Sequence, residues 1–97
     1  MRIINQHRLA DFALNHADSV KAINTWAETL TNGKYKHPHD LLKEFPSTDY
    51  VGNDRYVFDI KGNRYRIISV VVFIGGIVDV RFVGTHTEYC KINAKTI

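Results

Sequence analysis

With 97 residues, 44% of them hydrophobic and 24% charged, the chain has the balance of one folded domain and not that of a disordered segment. No apolar run approaches the roughly 20 residues of a membrane-spanning helix, and Met1-Arg2-Ile3-Ile4-Asn5-Gln6 lacks the apolar core of a signal peptide. The single Cys90 excludes an internal disulfide and a cysteine-cluster zinc site, so the cytoplasm is the expected compartment.

The net charge of +3 is unevenly placed. Residues 1–50 carry six basic and six acidic groups, whereas residues 51–97 carry seven and four. A polyanion-binding surface is therefore expected in the second half, although scattered solubility charge gives the same counts.

The first half reads as helices. Leu9, Phe12, Ala13 and Ala17 form one apolar stripe at helical spacing. Asp18 or Ser19 is a candidate cap for a second helix bearing Val20, Ile23, Ala27 and Leu30, with Gly33 at its end and Trp26 in the core. Pro38 opens a short third helix with Leu41, Leu42 and Phe45, and Pro46 stops it.

The second half reads as a meander. A strand over 55–60 meets a Gly62-Asn63 turn, a long strand runs over 64–74, Gly75-Gly76 turns again, and a third strand covers 77–83 until Gly84 breaks it. Thr85 and Glu88 form a capping box for a last short helix starting at His86. The predicted class is α+β, one domain over 1–97, with helices on one face of an antiparallel sheet.

Two-residue turns fix the register, and the register fixes the faces. It pairs 59 with 66, 57 with 68, 72 with 79 and 70 with 81. Lys61, Asp59, Arg64, Arg66 and Arg81 then share one face. Tyr56, Phe58, Ile60, Tyr65, Ile67, Val71, Phe73, Val78, Val80 and Phe82 share the other, where the helices must pack. The charged face is expected to be bare. His86 should lie beside Arg66 with Tyr89 one turn on, and Arg81 about 13 Å along the ladder.

Arginines gathered with an imidazole and a phenol suit cleavage of RNA by its own 2′-hydroxyl. The guanidinium fork matches phosphate oxygens, and histidine exchanges protons near neutral pH. Arg66 is the expected phosphate clamp, His86 the general acid, and Tyr89 or Lys61 the base or orienting group. Arg81 is expected to assist or to hold a neighbouring nucleotide, and Arg64, Asn63 and Lys91 to bind RNA. Each has a plainer reading. Asp59–Arg66 could be an ordinary cross-strand ion pair, His86 a solvated residue, and Tyr89 a core residue with a wet hydroxyl. No metal site is expected, because His37/His39 and His86/Cys90 offer only two ligands each. No cofactor is expected either, since the chain lacks a phosphate loop and a nucleophile elbow.

The stretches Tyr56-Val57-Phe58-Asp59-Ile60-Lys61-Gly62-Asn63-Arg64-Tyr65-Arg66-Ile67-Ile68 and Val80-Arg81-Phe82-Val83-Gly84-Thr85-His86-Thr87-Glu88-Tyr89, with Phe45-Pro46-Ser47-Thr48-Asp49 upstream, closely resemble the HigB toxin family. The resemblance covers nearly the whole chain. It implies a RelE-like fold and endonucleolytic cleavage of messenger RNA, usually in the ribosomal A site. It also implies a HigA-type helix-turn-helix antitoxin, and through it an indirect link to operator DNA. The residues it marks are Arg66, Arg81, His86 and Tyr89. Asp59 stands where the family pattern usually has Asn, and Cys90 where it often has Asp. The rivals are a ParE-type toxin acting on gyrase, a non-catalytic RNA-binding module, which would show aromatics on the open face, and an inactive member that binds only antitoxin.

Overall fold

The computed structural model describes residues 1–97. Its chain order is β1 (Arg2–Ile4), α1 (His7–Asn15), a 3₁₀ turn (Ala17–Ser19), α2 (Val20–Asn32), α3 (Pro38–Glu44), β2 (Asp49–Gly52), β3 (Arg55–Ile60), β4 (Tyr65–Val72), β5 (Ile77–Thr85) and α4 (His86–Tyr89). The strands form one sheet, ordered β1-β5-β4-β3-β2. β1 runs parallel to β5 and the other pairs are antiparallel.

The class is α+β, as the periodicities predict, with two strands added. β1 and β2 span three and four residues, too short for alternation to show. Pairing with Ile77–Asp79 and with Arg55–Val57 defines them instead. β1 makes the sheet mixed, not wholly antiparallel.

One face of the sheet carries the core. Tyr56, Phe58, Ile60, Tyr65, Ile67, Val71, Val78 and Val80 meet Leu9 of α1, Ile23, Trp26 and Leu30 of α2, and Leu41 of α3. Trp26 is 3% exposed and meets Phe58 edge-on with ring centroids 5.3 Å apart. Leu9, Ile23 and Leu30 of the two apolar stripes bury as their helical spacing requires, whereas Ala17 and Val20 at the stripe ends are exposed. The helix ends differ from expectation. α1 stops at Asn15, and Ala17 opens the 3₁₀ turn. Neither Asp18 nor Ser19 caps α2: Ser19 Oγ donates backward to His16 O at 2.6 Å, and the Asp18 carboxylate is engaged elsewhere.

The first hairpin has the expected register, with Asp59 opposite Arg66 and Val57 opposite Ile68. The second does not. Val72 pairs with Ile77 across a four-residue loop, so the predicted partners 72–79 and 70–81 become 72–77 and 70–79. Gly75 and Gly76 both have positive φ, at 94° and 66°, and the turn is centred one residue earlier than a two-residue Gly75-Gly76 loop would be. Ile74 consequently leaves the strand and stands 92% exposed.

Next comes a β-bulge. Ser69 faces Val80 and Ile68 faces Phe82, which leaves Arg81 as the extra residue. A bulge reverses the alternation beyond it. Phe82 therefore lies on the charged face opposite Ile68, and Val83 takes its expected place against the core. Gly84 does not break the strand; it pairs with Arg66. The shift of two and the bulge of one nearly offset each other, and His86 still follows Thr85, one ladder position from Arg66.

The charged face is not bare. Val57 and Ile68 lie on it at 2% and 0% exposure. The chain after α4 supplies the cover. It leaves α4 near Arg66 and ends with Arg55 donating to Ile97 O (2.8 Å from Nη2) and Asn53 Nδ2 donating to Lys95 O at 3.1 Å. Arg55 and Asp59 are four residues apart on β3, so residues 90–97 must cross the face over Val57 and Ile68. What remains open is the strip around Arg66, Gly84 and Phe82.

Candidate active site

Arg66 projects from the start of β4, with β3 and β5 on either side. Its Nε lies 3.2 Å from Asp59 Oδ1. The N–H is not aimed at that oxygen, however, and Nε has no hydrogen-bond partner. The pair is a charge contact; Nε is buried, and no protein group hydrogen-bonds the two terminal guanidinium nitrogens. From above, the Tyr89 ring covers Arg66, with Cζ 4.6 Å from the ring centroid. Both side chains of the pair are about one-fifth exposed, which keeps the charge partly desolvated.

Tyr89 owes its position to a helix with a firm start. Thr85 Oγ1 accepts from Glu88 N at 3.2 Å, while Glu88 Oε1 accepts from Thr85 N at 2.8 Å. This is the capping box read from the sequence. The Thr85 N–H holds the Glu88 carboxyl below its ordinary range. His86, at the first position of α4, is exposed, and its Nε2 lies 3.7 Å from Cys90 Sγ. No third metal-ligating side chain joins them.

The other predicted residues divide into two groups. Arg81, the bulge residue, turns back on itself, with Nε 2.9 Å from Asp79 Oδ2. Asp79 is also held by Asn5 Nδ2 at 2.6 Å. Lys61 and Arg64 do not join Arg66. The positive φ of Lys61 and Gly62, 52° and 69°, swings the turn toward the helices. There Lys61 Nζ donates to Asp18 O at 3.1 Å and Arg64 Nη1 to Asp18 Oδ2 at 2.9 Å. Tyr65 Oη, from the core face, donates to Asp18 Oδ1 at 2.7 Å. That bond, reinforced by Arg64 and Lys61, depresses the Asp18 carboxyl pKa and raises that of the Tyr65 phenol. Asn63 and Lys91 are exposed, in the turn and just past α4.

Sequence reasoning missed Phe82 and Asp18. The bulge leaves one faint trace: Val80 and Val83 both seek the core but stand three apart, which plain alternation cannot satisfy. Phe82 is apolar too, so the local sequence does not say which residue turns outward. Asp18 gives no trace, since its partners are more than forty residues away.

The comparison with known families decides the grouping. Residues 19–92 match the family described as HigB_toxin, RelE-like toxic component of a toxin–antitoxin system. This chain belongs to the HigB toxin family. Among individual HigB relatives, the mRNA interferase toxin HigB of Escherichia coli (strain K12) is 33% identical over 92 residues, spanning 92% of this chain and 88% of the relative. The mRNA interferase HigB of Shigella flexneri gives the same figures. The mRNA interferase HigB of Escherichia coli O6:H1 is 24% identical over 94 residues, spanning 95% and 91%. Arg66, Arg81, His86 and Tyr89 all fall within the HigB match.

Proposed function

We propose that this HigB-family toxin is an endoribonuclease that cuts messenger RNA by attack of the substrate's own 2′-hydroxyl. The observation that carries the reading is Arg66, a guanidinium held between Asp59 and the Tyr89 ring at the helix that His86 opens, in a chain whose relatives are named mRNA interferases.

Arg66 holds the scissile phosphate through its free N–H groups and offsets charge as the phosphorus becomes five-coordinate. The 2′-oxygen forms a bond to phosphorus while the bond to the 5′-oxygen breaks. The products are a 2′,3′-cyclic phosphate and a free 5′-hydroxyl. His86 protonates the departing oxygen, Tyr89, stacked on Arg66, orients the reacting ribose, and the 2′ proton leaves to water. Lys61, tied to Asp18, is assigned no proton transfer. Arg81, freed from Asp79, contacts a neighbouring phosphate, and Asn63, Arg64 and Lys91 contribute weaker, salt-sensitive attraction. The reaction needs neither metal nor cofactor.

The cutting takes place in the ribosomal A site in the cytoplasm. A HigA-type helix-turn-helix antitoxin neutralises the toxin and links it indirectly to operator DNA.

The test is induction in cells of the wild type, Arg66→Ala and His86→Ala, with sequencing of RNA ends. Arrest with new messenger ends, lost in both variants, is the expected outcome. Arrest with gyrase-linked DNA breaks and intact messenger would overturn the reading in favour of ParE-type poisoning.

A further inference from the structure

The open strip on the sheet has an outlet on one side only. From Arg66, the way over β3 is closed by residues 90–97, which bury Val57 and Ile68. The way past the 61–64 turn meets Asp59 and then Lys61 and Arg64, whose charges are taken by Asp18. The third way crosses Gly84 to the outer edge of β5. β1 ends at Ile4, opposite Asp79, so β5 beyond that point has no strand partner on this side.

At that edge α1 and β5 frame a cleft of about 360 Å³, lined by Arg8, Asp11, Phe12, Arg81, Phe82 and Val83. Phe82 connects the cleft to Arg66. The bulge puts Phe82 on Arg66's face, and its ring folds back over Gly84, the ladder partner of Arg66. A Cβ on Gly84 would stand 2.5 Å from Phe82 Cζ. Phe82 is partly buried, with Arg81 beside it in the chain and Arg8 across the cleft. Asp11 is the one acid on the lining.

We infer that this cleft is a second nucleotide subsite, in which Phe82 stacks on the base next to the cleaved bond and Arg8 with Arg81 takes the following phosphate. The inference rests on the nuclease reading above and adds the path of the RNA to it. An aromatic ring between guanidiniums spaced along a groove is how single-stranded nucleic acid is held, because every base offers a π-face and every linkage a charge. Stacking also grades the bases by surface area, so Phe82 favours a purine at the flanking position.

Mapping RNA ends after induction of the wild type, Phe82→Leu, Phe82→Tyr and Arg8→Gln tests this. Phe82→Leu should lower cleavage about tenfold and flatten the base preference at one flanking position. Phe82→Tyr should keep both, which also guards against a folding artefact. Arg8→Gln should lower cleavage severalfold and leave the base preference unchanged. Unaltered yield and preference in both Phe82→Leu and Arg8→Gln would overturn the subsite while the nuclease stands. Full cleavage by both variants together with lost antitoxin neutralisation would overturn it by assigning the cleft to the antitoxin. No messenger cleavage by the wild type would remove the nuclease reading itself.

Discussion

The Arg66 guanidinium sits between two groups that hold it differently: the Asp59 carboxylate 3.2 Å from its Nε and the Tyr89 ring 4.6 Å from its Cζ. The carboxylate fixes its charge laterally, and the ring restricts it from above. Neither engages the terminal nitrogens in a hydrogen bond, while Nε is buried without a partner. A planar, preorganised donor with free N–H groups is what a phosphate in the act of transfer requires.

Replacing Arg66 with Lys should therefore not rescue activity. An ammonium keeps the charge but loses the fork and the stacking plane. Messenger cleavage by Arg66→Lys should fall by roughly a hundredfold or more, as for removal of one oriented donor. Near-wild-type cleavage by the lysine variant would show that charge alone suffices.

Asp59→Asn separates holding from quenching. If the carboxylate competes with phosphate, the amide should bind a 2′-deoxy-blocked RNA oligonucleotide about fivefold tighter, in line with roughly 1 kcal/mol for a partly exposed ion pair. Titration by fluorescence anisotropy reads this directly. Weaker binding would mean that Asp59 chiefly orients Arg66.

Gly84→Ala tests the placement of Phe82. The new methyl would meet Phe82 Cζ at 2.5 Å and Glu88 Oε1 at 3.2 Å, so the ring must move and the capping carboxylate is crowded. Urea melts should show a loss of roughly 1–3 kcal/mol, the usual cost of overpacking. Phe82→Leu should restore much of that loss in the double variant, because the two changes share one space.

Asp18 supplies a pH-dependent contact far from the chemistry. Tyr65, Arg64 and Lys61 lower its folded pKa below the ordinary 3.8. A depressed carboxyl stabilises the fold fully above the unfolded pKa and loses that effect as pH falls through the folded one. The stability gap between wild type and Asp18→Asn should thus be constant from neutral pH down to about pH 5 and shrink below 3.8. Chemical melts across pH 2–7 would show it, and a gap independent of pH would remove the ion cluster from the stability of the fold.

How much of this was legible depends on distance along the chain. The amphipathic stripes of α1 and α2, the Pro38 start of α3, the 59–66 pairing and the Thr85–Glu88 box are local patterns, each spanning a few residues, and the sequence alone determined them. It also determined the nearness of Tyr89 to Arg66, since α4 follows directly on the strand that pairs with β4. Local patterns carry no record of what lies across the fold. Only the tertiary structure decided that β1 joins the edge, that Arg81 bulges and turns Phe82 outward, and that Asp18 draws Lys61 and Arg64 away. The same holds for residues 90–97, which close half the charged face by reaching Arg55 and Asn53. The physical reason is that pairing between distant segments is settled by which apolar groups share one core, and a change of one residue in register reverses every face beyond it.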